Sequence, residues 1–219
     1  MTSELSLVFG ATGLVGTELV KLLLEKGNKV RTIGRRKIGF NHQNLEEVIL
    51  DSLDQMDASH FMSVTTVYCC LGTTIKAAKT QEAFRKVDYD YPLRAAQLTK
   101  EIGIRKFVCI SAKGSSVDSS FFYSRVKGEL ERDLFLLSID ELFIVKPSLL
   151  LGERAEFRLV EAIGQIFSKS ILPVLKFTLG TYCPIEAKQV ALTMWEVVND
   201  GLHSSKNIQV DTKRQSGLK

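Results

Sequence analysis

Tyr123 and Lys127 are the two residues of this sequence whose types and spacing best suit acid–base chemistry. They stand four apart, which places both side chains on one face of a helix. A tyrosine with its ordinary pKa of about 10 is a poor acid or base at neutral pH. A nearby ammonium group favours the phenolate, so we expect Lys127 to lower the pKa of Tyr123 toward the working range. An exposed pair on an amphipathic helix is the alternative.

A glycine-rich turn separates the first predicted strand from the first predicted helix, with Gly10, Gly13 and Gly16 spaced three apart. Such glycines permit a tight turn, a close approach of the backbone to a diphosphate, and close packing of helix on strand. The diphosphate then lies on backbone N–H groups at the positive end of the helix. The spacing differs from the GxGxxG fingerprint, and a plain glycine-rich turn is the alternative. The dinucleotide site predicted here consists of Gly10, Thr12, Gly13, Leu14, Val15 and Gly16.

Arg35 and Arg36 follow the second predicted strand, where the adenosine ribose of a bound dinucleotide would lie. An acidic residue at this place would bind the 2′-hydroxyl of NAD, whereas cationic side chains suit the 2′-phosphate of NADP. The sequence therefore predicts NADP(H) as the preferred cofactor, with NAD(H) as the second choice. The alternative is a solvated basic loop.

Two further segments follow strands at the same predicted edge of the sheet. Asp51 and Ser52 come after the third strand, and they could bond the adenine amino group. Leu71, Gly72 and Thr73 come after the fourth strand. Residues at the carboxyl end of a central strand line the ligand crevice of open α/β sheets, although an ordinary strand-to-loop turn would look much the same.

The elements that must position these residues are short apolar runs alternating with segments of helical period. One helical stripe starts at Val15 and stops near Gly27, and a second runs from Phe84 to Ile102, where Pro92 should kink or split it. A third helix is predicted over residues 121–137. Alternating strands and helices give an α/β fold with a doubly wound parallel sheet and helices on both faces. The predicted strands are residues 5–9, 29–33, 46–50, 66–70, 106–110, 142–145 and 207–210.

The composition is that of an ordinary soluble protein, with 45% hydrophobic and 25% charged residues in a chain of 219. The net charge of +4 is not concentrated in a Lys/Arg block, so nucleic acid is not the expected partner. No apolar run approaches the ~20 residues of a membrane span, and no signal peptide is recognisable. We therefore expect a cytoplasmic protein that binds no membrane. The cysteines form no CxxC pair and are expected to be reduced thiols, and no spacing of His, Asp or Glu suggests a metal site.

Several motifs together resemble the short-chain dehydrogenase/reductase superfamily: the glycine turn, residues 110–114 after the fifth strand, and the Tyr123/Lys127 pair. Residues 68–74, 87–91 and 123–129 look more narrowly like its atypical branch, which includes the Tat-interacting-protein-like oxidoreductases. The similarity extends from about residue 5 to about residue 199. It implies a Rossmann-type sheet with strand order 3-2-1-4-5-6-7 that binds NADP(H).

The resemblance also implies roles for individual residues. Tyr123 would be the general acid/base, and Lys127 would bond the nicotinamide ribose and tune Tyr123. A serine after the fifth strand would polarise the substrate carbonyl. Pro147, in the stretch Val145-Lys146-Pro147-Ser148, would lie where the chain passes the nicotinamide.

One position departs from the family pattern. Many members carry two adjacent hydroxyl residues after the fifth strand, but here Ser111 is followed by Ala112. Ser111 could serve as the catalytic hydroxyl, Ser115 or Ser116 could replace it, or the hydroxyl could be missing; equally, Ser111 could only cap the strand. Loss of one carbonyl hydrogen bond of this kind lowers a rate by about 10²–10³, whereas cofactor binding would survive.

Two functions are compatible with these residues. The first is an oxidoreductase that acts on a small carbonyl or alcohol, with epimerase-like chemistry as a variant. The alternative is an NADPH-binding regulatory or adaptor protein with little or no turnover. We expect one Rossmann domain over residues 1–211, in which residues 151–185 cap the substrate crevice, and a flexible tail over residues 212–219. A homodimer is left open.

Overall fold

The protein is built around a seven-stranded parallel sheet. The computed structural model describes residues 4–147, 149–151, 184–199 and 208–211. The strand order is the predicted 3-2-1-4-5-6-7, so the predicted fold is confirmed. From one edge to the other, the strands are β3 (Leu45–Ile49), β2 (Lys29–Gly34), β1 (Leu5–Phe9), β4 (Thr66–Cys69), β5 (Lys106–Ile110), β6 (Glu141–Lys146) and β9 (Ile208–Asp211).

The central strands form because their residues are apolar on both faces. Leu7, Val8 and Phe9 of β1 are all fully buried. Alternate side chains of a strand point to opposite faces, and accordingly Leu7 and Phe9 belong to one hydrophobic core while Val8 belongs to the other. Strands covered on both faces read as continuous apolar runs. The predicted strands of this sheet agree with the observed ones to within one residue at each end, including β3, whose residues are only partly buried or exposed.

Helices cover both faces of the sheet. Helices α1 (Leu14–Glu25) and α6 (Ala187–Asn199) pack on the face that carries Val8, and α4 (Tyr91–Ile102) and α5 (Phe122–Leu136) pack on the face that carries Leu7. α1 ends just before Gly27, as predicted, and Gly27 has a φ of +83°. The helices are α1 (Leu14–Glu25), α2 (Ile75–Ala78), α3 (Gln81–Arg85), α4 (Tyr91–Ile102), α5 (Phe122–Leu136) and α6 (Ala187–Asn199).

The second predicted helix is divided at its proline, as expected. A π-helical turn, Lys86–Asp90, joins α3 to α4, and Pro92 lies in the first turn of α4. Proline has no N–H to donate to a preceding carbonyl, whereas a π turn accommodates one extra residue. The chain is therefore helical on both sides of the proline. Asp88 lies in this π turn and is buried.

Two strands that the sequence did not predict form a separate pair. β7 (Leu149–Leu151) pairs in parallel with β8 (Pro184–Glu186). Residues 212–219 and most of the segment 151–185 lie outside the described residues. The domain limits and the capping role of that segment therefore stay predictions. Among the described residues, no helix is long and apolar enough to cross a membrane.

Candidate functional site

The turn between β1 and α1 depends on close backbone contacts that only glycine permits. Gly10 has a φ of +75°, and a Cβ on it would lie 2.5 Å from the carbonyl oxygen of Cys70. A Cβ on Gly16 would lie 2.2 Å from the carbonyl oxygen of Gly10. Both distances are well inside van der Waals contact, so a larger residue at either position would force the turn, the start of α1 and the end of β4 apart.

The amino end of α1 lies open beside this turn. Gly13 is its N-cap, no side chain caps the helix, and its first turn contains no acidic residue. Thr12 and Gly13 are exposed, Leu14 is partly exposed, and Val15 is buried in the core. Backbone N–H groups of a first helical turn need an acceptor, and an anion suits this position. The residues present therefore fit the diphosphate of a dinucleotide.

Helix α5 carries Tyr123 and Lys127 in its first two turns, on one face. Tyr123 is 38% exposed, and its ring packs against that of Phe84 with centroids 5.7 Å apart. Lys127, by contrast, is 2% exposed. The predicted pair thus joins a tyrosine that is partly exposed to a lysine that is buried.

The buried ammonium group of Lys127 has a carboxylate partner, Asp88. Nζ of Lys127 lies 2.9 Å from Oδ1 of Asp88. Oδ2 of Asp88 accepts a hydrogen bond of 2.8 Å from the backbone N–H of Thr73, and a Cβ on Gly72 would lie 3.5 Å from Oδ1. One carboxylate therefore joins the π turn to α5 and to the Leu71–Gly72–Thr73 loop after β4.

The pKa of Tyr123 is raised above its ordinary value, so the expected lowering is wrong for this structure. Desolvation of the phenol among its neighbours is the main cause. Lys127 acts in the expected direction and lowers the pKa of Tyr123, but the negative charge of Asp88 opposes it. Burial lowers the pKa of Lys127, yet Asp88 and Tyr123 raise it more, and the result is a pKa above the ordinary value. Lys127 is therefore charged, and Asp88 compensates its charge.

Ser111, after β5, takes part in a buried polar network. Its hydroxyl donates to Oε1 of Glu131, which stands four residues beyond Lys127 on the same face of α5. Oε2 of Glu131 lies 2.7 Å from Nζ of Lys146, and the hydroxyl oxygens of Ser111 and Ser115 are 3.2 Å apart. Because the serine hydrogen is directed at Glu131, the arrangement favours the simpler of the two predicted roles, a hydroxyl that stabilises the end of β5.

The loop after β5 lies directly against α5. A Cβ on Gly128 would lie 2.3 Å from the carbonyl carbon of Ser116, and the N–H of Ser116 donates to the carbonyl oxygen of Ser124 at 3.1 Å. On its other side, the N–H of Lys113 donates to the carbonyl oxygen of Pro147 at 3.2 Å. Because Gly128 has no side chain, the loop that carries the candidate serines can pack closely against α5. Pro147 borders the same loop.

Comparisons with known proteins agree with this geometry. A model of the NAD-dependent epimerase/dehydratase family matches residues 6–117. The rat protein HTATIP2 is 36% identical over 178 residues, which cover 78% of this chain and 73% of the rat protein. The chain belongs to the NAD-dependent epimerase/dehydratase family. The mitochondrial protein FMP52 of Candida albicans is 31% identical over 208 residues, covering 90% of this chain and 88% of the yeast protein.

Solved structures share the fold of this family member. MoeE5 in complex with UDP-glucuronic acid and NAD superposes with a TM-score of 0.73 at 16% identity, covering 94% of this chain and 75% of MoeE5. An oxidoreductase of the short-chain dehydrogenase/reductase family from Burkholderia thailandensis superposes with a TM-score of 0.68 at 17% identity, covering 99% of this chain and 94% of that protein. At these identities the likeness concerns the fold. Together with the sequence relatives, it confirms the resemblance to the short-chain dehydrogenase/reductase superfamily.

In this epimerase/dehydratase family member, Arg35 and Arg36 follow β2 and are exposed. Arg31, within β2, is bonded to Glu46 at 2.9 Å and to two backbone carbonyls. Within residues 4–147, neither Arg35 nor Arg36 forms an ion pair. The two guanidinium groups are thus available to an outside anion.

Asp51 and Ser52 follow β3, and they differ in their local hydrogen bonds. The hydroxyl of Ser52 accepts from the N–H of Asp54 at 3.2 Å and donates to its carboxylate at 2.7 Å. It thereby starts the short 3₁₀ turn Leu53–Gln55. Asp51 is exposed and is the better placed of the two to contact a ligand.

Asp88 is the site residue that the sequence did not point to. It stands in the stretch of residues 87–91, which contributed to the family resemblance without a role of its own. A usable signal did exist, because Asp88 stands four residues after Phe84 and so shares the apolar face of the predicted helix, and a carboxylate buried on such a face needs a partner. The identity of that partner required the fold.

Other candidate chemistry is limited in the part of the chain that the structure describes. No group of three His, Cys, Asp or Glu residues there could hold a metal ion. Cys69, Cys70 and Cys109 are free thiols, while Cys183 lies outside the described residues.

Proposed function

We propose that this chain is an NADP(H)-dependent oxidoreductase that transfers hydride to or from a small carbonyl or alcohol. The observation that carries the proposal is the position of the partly exposed Tyr123 beside the buried cation Lys127. Both lie at the start of the helix that follows β5, near the carboxyl edge of the sheet, where the glycine turn also lies. When bound, the nicotinamide supplies or accepts the hydride.

The residues of the glycine turn and its neighbours bind the cofactor. Backbone N–H groups at the amino end of α1 bind the diphosphate. Arg35 and Arg36 bind the 2′-phosphate through charge-assisted hydrogen bonds and so select NADP(H) over NAD(H). Asp51 and Ser52 contact the adenine, the loop of residues 71–73 lines the crevice, and Pro147 borders the nicotinamide.

Tyr123 transfers the proton that accompanies the hydride. In reduction its hydroxyl protonates the substrate oxygen, and in oxidation its phenolate accepts that proton. A tyrosine is neutral at neutral pH, so the phenol carries a proton to donate in reduction, but its raised pKa makes it a weaker acid than an ordinary tyrosine. Lys127 bonds the nicotinamide ribose and stabilises the phenolate as it forms. Ser111 or Ser115 polarises the carbonyl after its hydroxyl hydrogen, which is given to Glu131 or to the carbonyl oxygen of Ala112 respectively in this structure, has turned to the substrate.

Turnover by purified protein tests the proposal. The full chain is mixed with NADPH and a panel of aldehydes and ketones, and oxidation of the nicotinamide is followed by its near-ultraviolet absorbance. Tyr123→Phe keeps the ring on Phe84 and removes only the hydroxyl, so we expect turnover to fall by about 10²–10⁴ while NADPH affinity is kept. Turnover that survives the substitution would exclude Tyr123 as the acid/base.

A second candidate function is an NADPH-binding regulatory or adaptor protein. Two observations favour it: Ala112 occupies the second hydroxyl position, and the hydroxyl of Ser111 is directed at Glu131. Fold alone does not separate an enzyme from a binding protein. Tight NADPH binding with no turnover on any member of the panel would support this second function.

The location and partners stay predictions of the proposal. We place the protein in the cytoplasm with a small-molecule substrate, without a nucleic acid or membrane partner, and leave a homodimer open. The FMP52 relatives are named mitochondrial, so fractionation of cells that express the tagged chain is the decisive measurement. Co-purification with mitochondria would reject the cytoplasmic placement.

A further inference from the structure

Exposed apolar side chains are concentrated around Tyr123, the proposed acid/base. Single apolar residues on a protein surface are normal, whereas a group of them in one place marks a binding site. Among the described residues, the large apolar side chains that are more than a third exposed are Ile49, Met62, Ile75, Val117, Phe121, Tyr123 and Leu136. Tyr123 and three of the others stand in segments that follow the carboxyl ends of β4 and β5: Ile75, Val117 and Phe121.

The segment after β4 is tied to the amino end of α5. The N–H of Thr73 donates to Asp88 at 2.8 Å, and Asp88 pairs with Lys127 at 2.9 Å. Lys127 lies one turn beyond Tyr123 on α5. Ile75 stands only two residues after Thr73, so its Cα lies within about 8 Å of that of Thr73. The first turn of α2, with its 43% exposed isoleucine, therefore lies near the proposed acid/base.

The segment after β5 reaches the same end of α5 from another side. A Cβ on Gly128 would lie 2.5 Å from the backbone nitrogen of Val117, and Gly128 directly follows Lys127. Phe121 is the N-cap residue of α5, two positions before Tyr123. Three apolar side chains from two separate parts of the sequence thus border one catalytic candidate.

The backbone around Phe121 is fixed by hydrogen bonds while its side chain stays exposed. The N–H of Phe121 donates to the hydroxyl of Ser119 at 3.2 Å, and its carbonyl oxygen accepts from the N–H of Arg125 at 3.0 Å. The guanidinium group of Arg125 donates to the carbonyl oxygen of Ser119 at 2.9 Å. Phe121 is 60% exposed nonetheless. An apolar group on an ordered backbone loses less freedom when it binds a ligand, which favours binding.

We propose that Ile75, Val117 and Phe121 form an apolar wall of the substrate site and select a carbonyl compound whose carbon chain or ring is apolar, or the corresponding alcohol. This inference rests on the proposed function and names the substrate class for the same site. Ligand sites commonly combine an apolar lining with a few polar groups that fix orientation. Here the wall binds the apolar part, and Tyr123 receives the reacting oxygen.

The reaction at this site balances with the groups already named. In reduction, the carbonyl carbon gains the hydride of NADPH and the carbonyl oxygen gains the proton of Tyr123. The products are the alcohol and NADP⁺, and solvent returns a proton to Tyr123. The apolar part of the substrate does not react, so its length changes binding and leaves the chemical step unaltered.

Binding of linear primary amides tests the inference without turnover, because an amide has the carbonyl group but is not reduced by NADPH. Affinities of butanamide, hexanamide and octanamide for the full chain, with and without NADPH, are measured by ligand-observed NMR titration. We expect each added methylene to tighten binding by about two- to fourfold. The monoamide of adipic acid carries a carboxylate in place of the terminal methyl of hexanamide. It should bind at least about tenfold more weakly, because a carboxylate against an apolar wall loses its hydration.

Phe121→Ser is the sharpest variant, because serine is a preferred N-cap residue and the helix start is kept. We expect it to weaken octanamide binding by about tenfold and to abolish most of the dependence on chain length. Val117→Thr replaces one methyl with a hydroxyl and should weaken octanamide binding as well. The matched control is Leu136→Ser, which removes a 75% exposed apolar side chain from the other end of α5 and should change none of the affinities.

The outcomes separate this inference from the proposed function. Equal affinities of wild type for butanamide and octanamide, or of Phe121→Ser and Leu136→Ser for octanamide, would overturn the apolar wall, whatever the turnover. For a Phe121→Ser protein that circular dichroism shows to be unfolded, Val117→Thr decides, and an unchanged octanamide affinity would overturn the wall. Amide binding that behaves as expected, without oxidation of NADPH by hexanal or octanal, would keep the wall and reject the oxidoreductase.

Discussion

Ser111 donates its single hydroxyl hydrogen to the carboxylate of Glu131 in the interior of the protein. A serine hydroxyl has only one hydrogen to donate, so the same group cannot at that moment polarise a substrate oxygen. Glu131 is also paired with Lys146 at 2.7 Å. The serine thus belongs to a charged network that connects β5, α5 and β6, three elements of the fold.

Replacing Ser111 should therefore cost stability. Ser111→Ala leaves a buried charged acceptor with one bond fewer, and we expect the free energy of unfolding to fall by about 1.5–3 kcal/mol, the range for hydrogen bonds to charged groups. Urea denaturation measures it. Ser120→Ala, at an exposed position of the following loop, is the control and should change stability by less than about 0.5 kcal/mol. Equal stability of the two variants would show that the bond to Glu131 contributes nothing.

Gly128 should not tolerate even one added carbon. The Cβ of Gly128→Ala would lie 2.3 Å from the carbonyl carbon of Ser116 and 2.5 Å from the backbone nitrogen of Val117. Neither backbone atom can move alone, so we expect a loss of about 1–3 kcal/mol, although alanine normally stabilises a helix relative to glycine. Thermal or urea unfolding is the measurement. Gly34→Ala, whose Cβ would meet only an ordinary contact at 3.8 Å, is the matched control.

Arg35 and Arg36 should discriminate between the two nicotinamide cofactors. Replacing both with alanine removes two guanidinium groups that bind the 2′-phosphate in the proposal, and each charge-assisted bond is worth about 1.5–3 kcal/mol. We expect the Kd for NADPH to rise by at least tenfold and the Kd for NADH to stay the same, as measured by titration calorimetry. Lys100→Ala, which removes a positive charge from α4, should affect neither. A parallel loss of both affinities would argue against 2′-phosphate recognition.

Tyr68 should make the protein sensitive to alkali. Burial raises the pKa of Tyr68, so between about pH 10 and its folded-state pKa the folded chain holds a proton that the unfolded chain has released. The contribution of Tyr68 to the free energy of unfolding should therefore be constant below about pH 10 and fall above it. Tyr68→Phe removes this titration, and we expect a shallower decline in urea denaturation from neutral pH to about pH 11. Curves that stay parallel over the whole range would contradict the prediction.

The sheet could be predicted from the sequence largely because its central strands are apolar runs covered on both faces. Leu7, Val8 and Phe9 show this, with alternate side chains in two different cores. Strand order followed from the family resemblance. The pair β7–β8 could not be predicted, since three-residue strands carry too little pattern to be distinguished from loop.

The candidate site was predictable only where its residues are close in sequence. The Tyr123/Lys127 spacing and the three glycines are local patterns, and the structure places both as expected. Asp88 is a different case, because its partners Lys127 and Thr73 are separated from it by long stretches of chain. The predicted lowering of the Tyr123 pKa was wrong for the same reason. The sequence showed the cation Lys127 but neither its counter-charge nor the desolvation of the phenol.

The π turn Lys86–Asp90 sets which face of α3 is aligned with which face of α4. Before the turn, Phe84 packs on Tyr123, and after it Ala95 and Leu98 pack into the core beneath the sheet. Each residue advances a helix by about 100°, so loss of a single residue from Lys86–Asp90 would rotate the first part by that angle against the second. A one-codon deletion in this turn would therefore move Phe84 away from Tyr123 while Ala95 and Leu98 stay in the core. No single substitution changes the relative rotation of the two parts in this way.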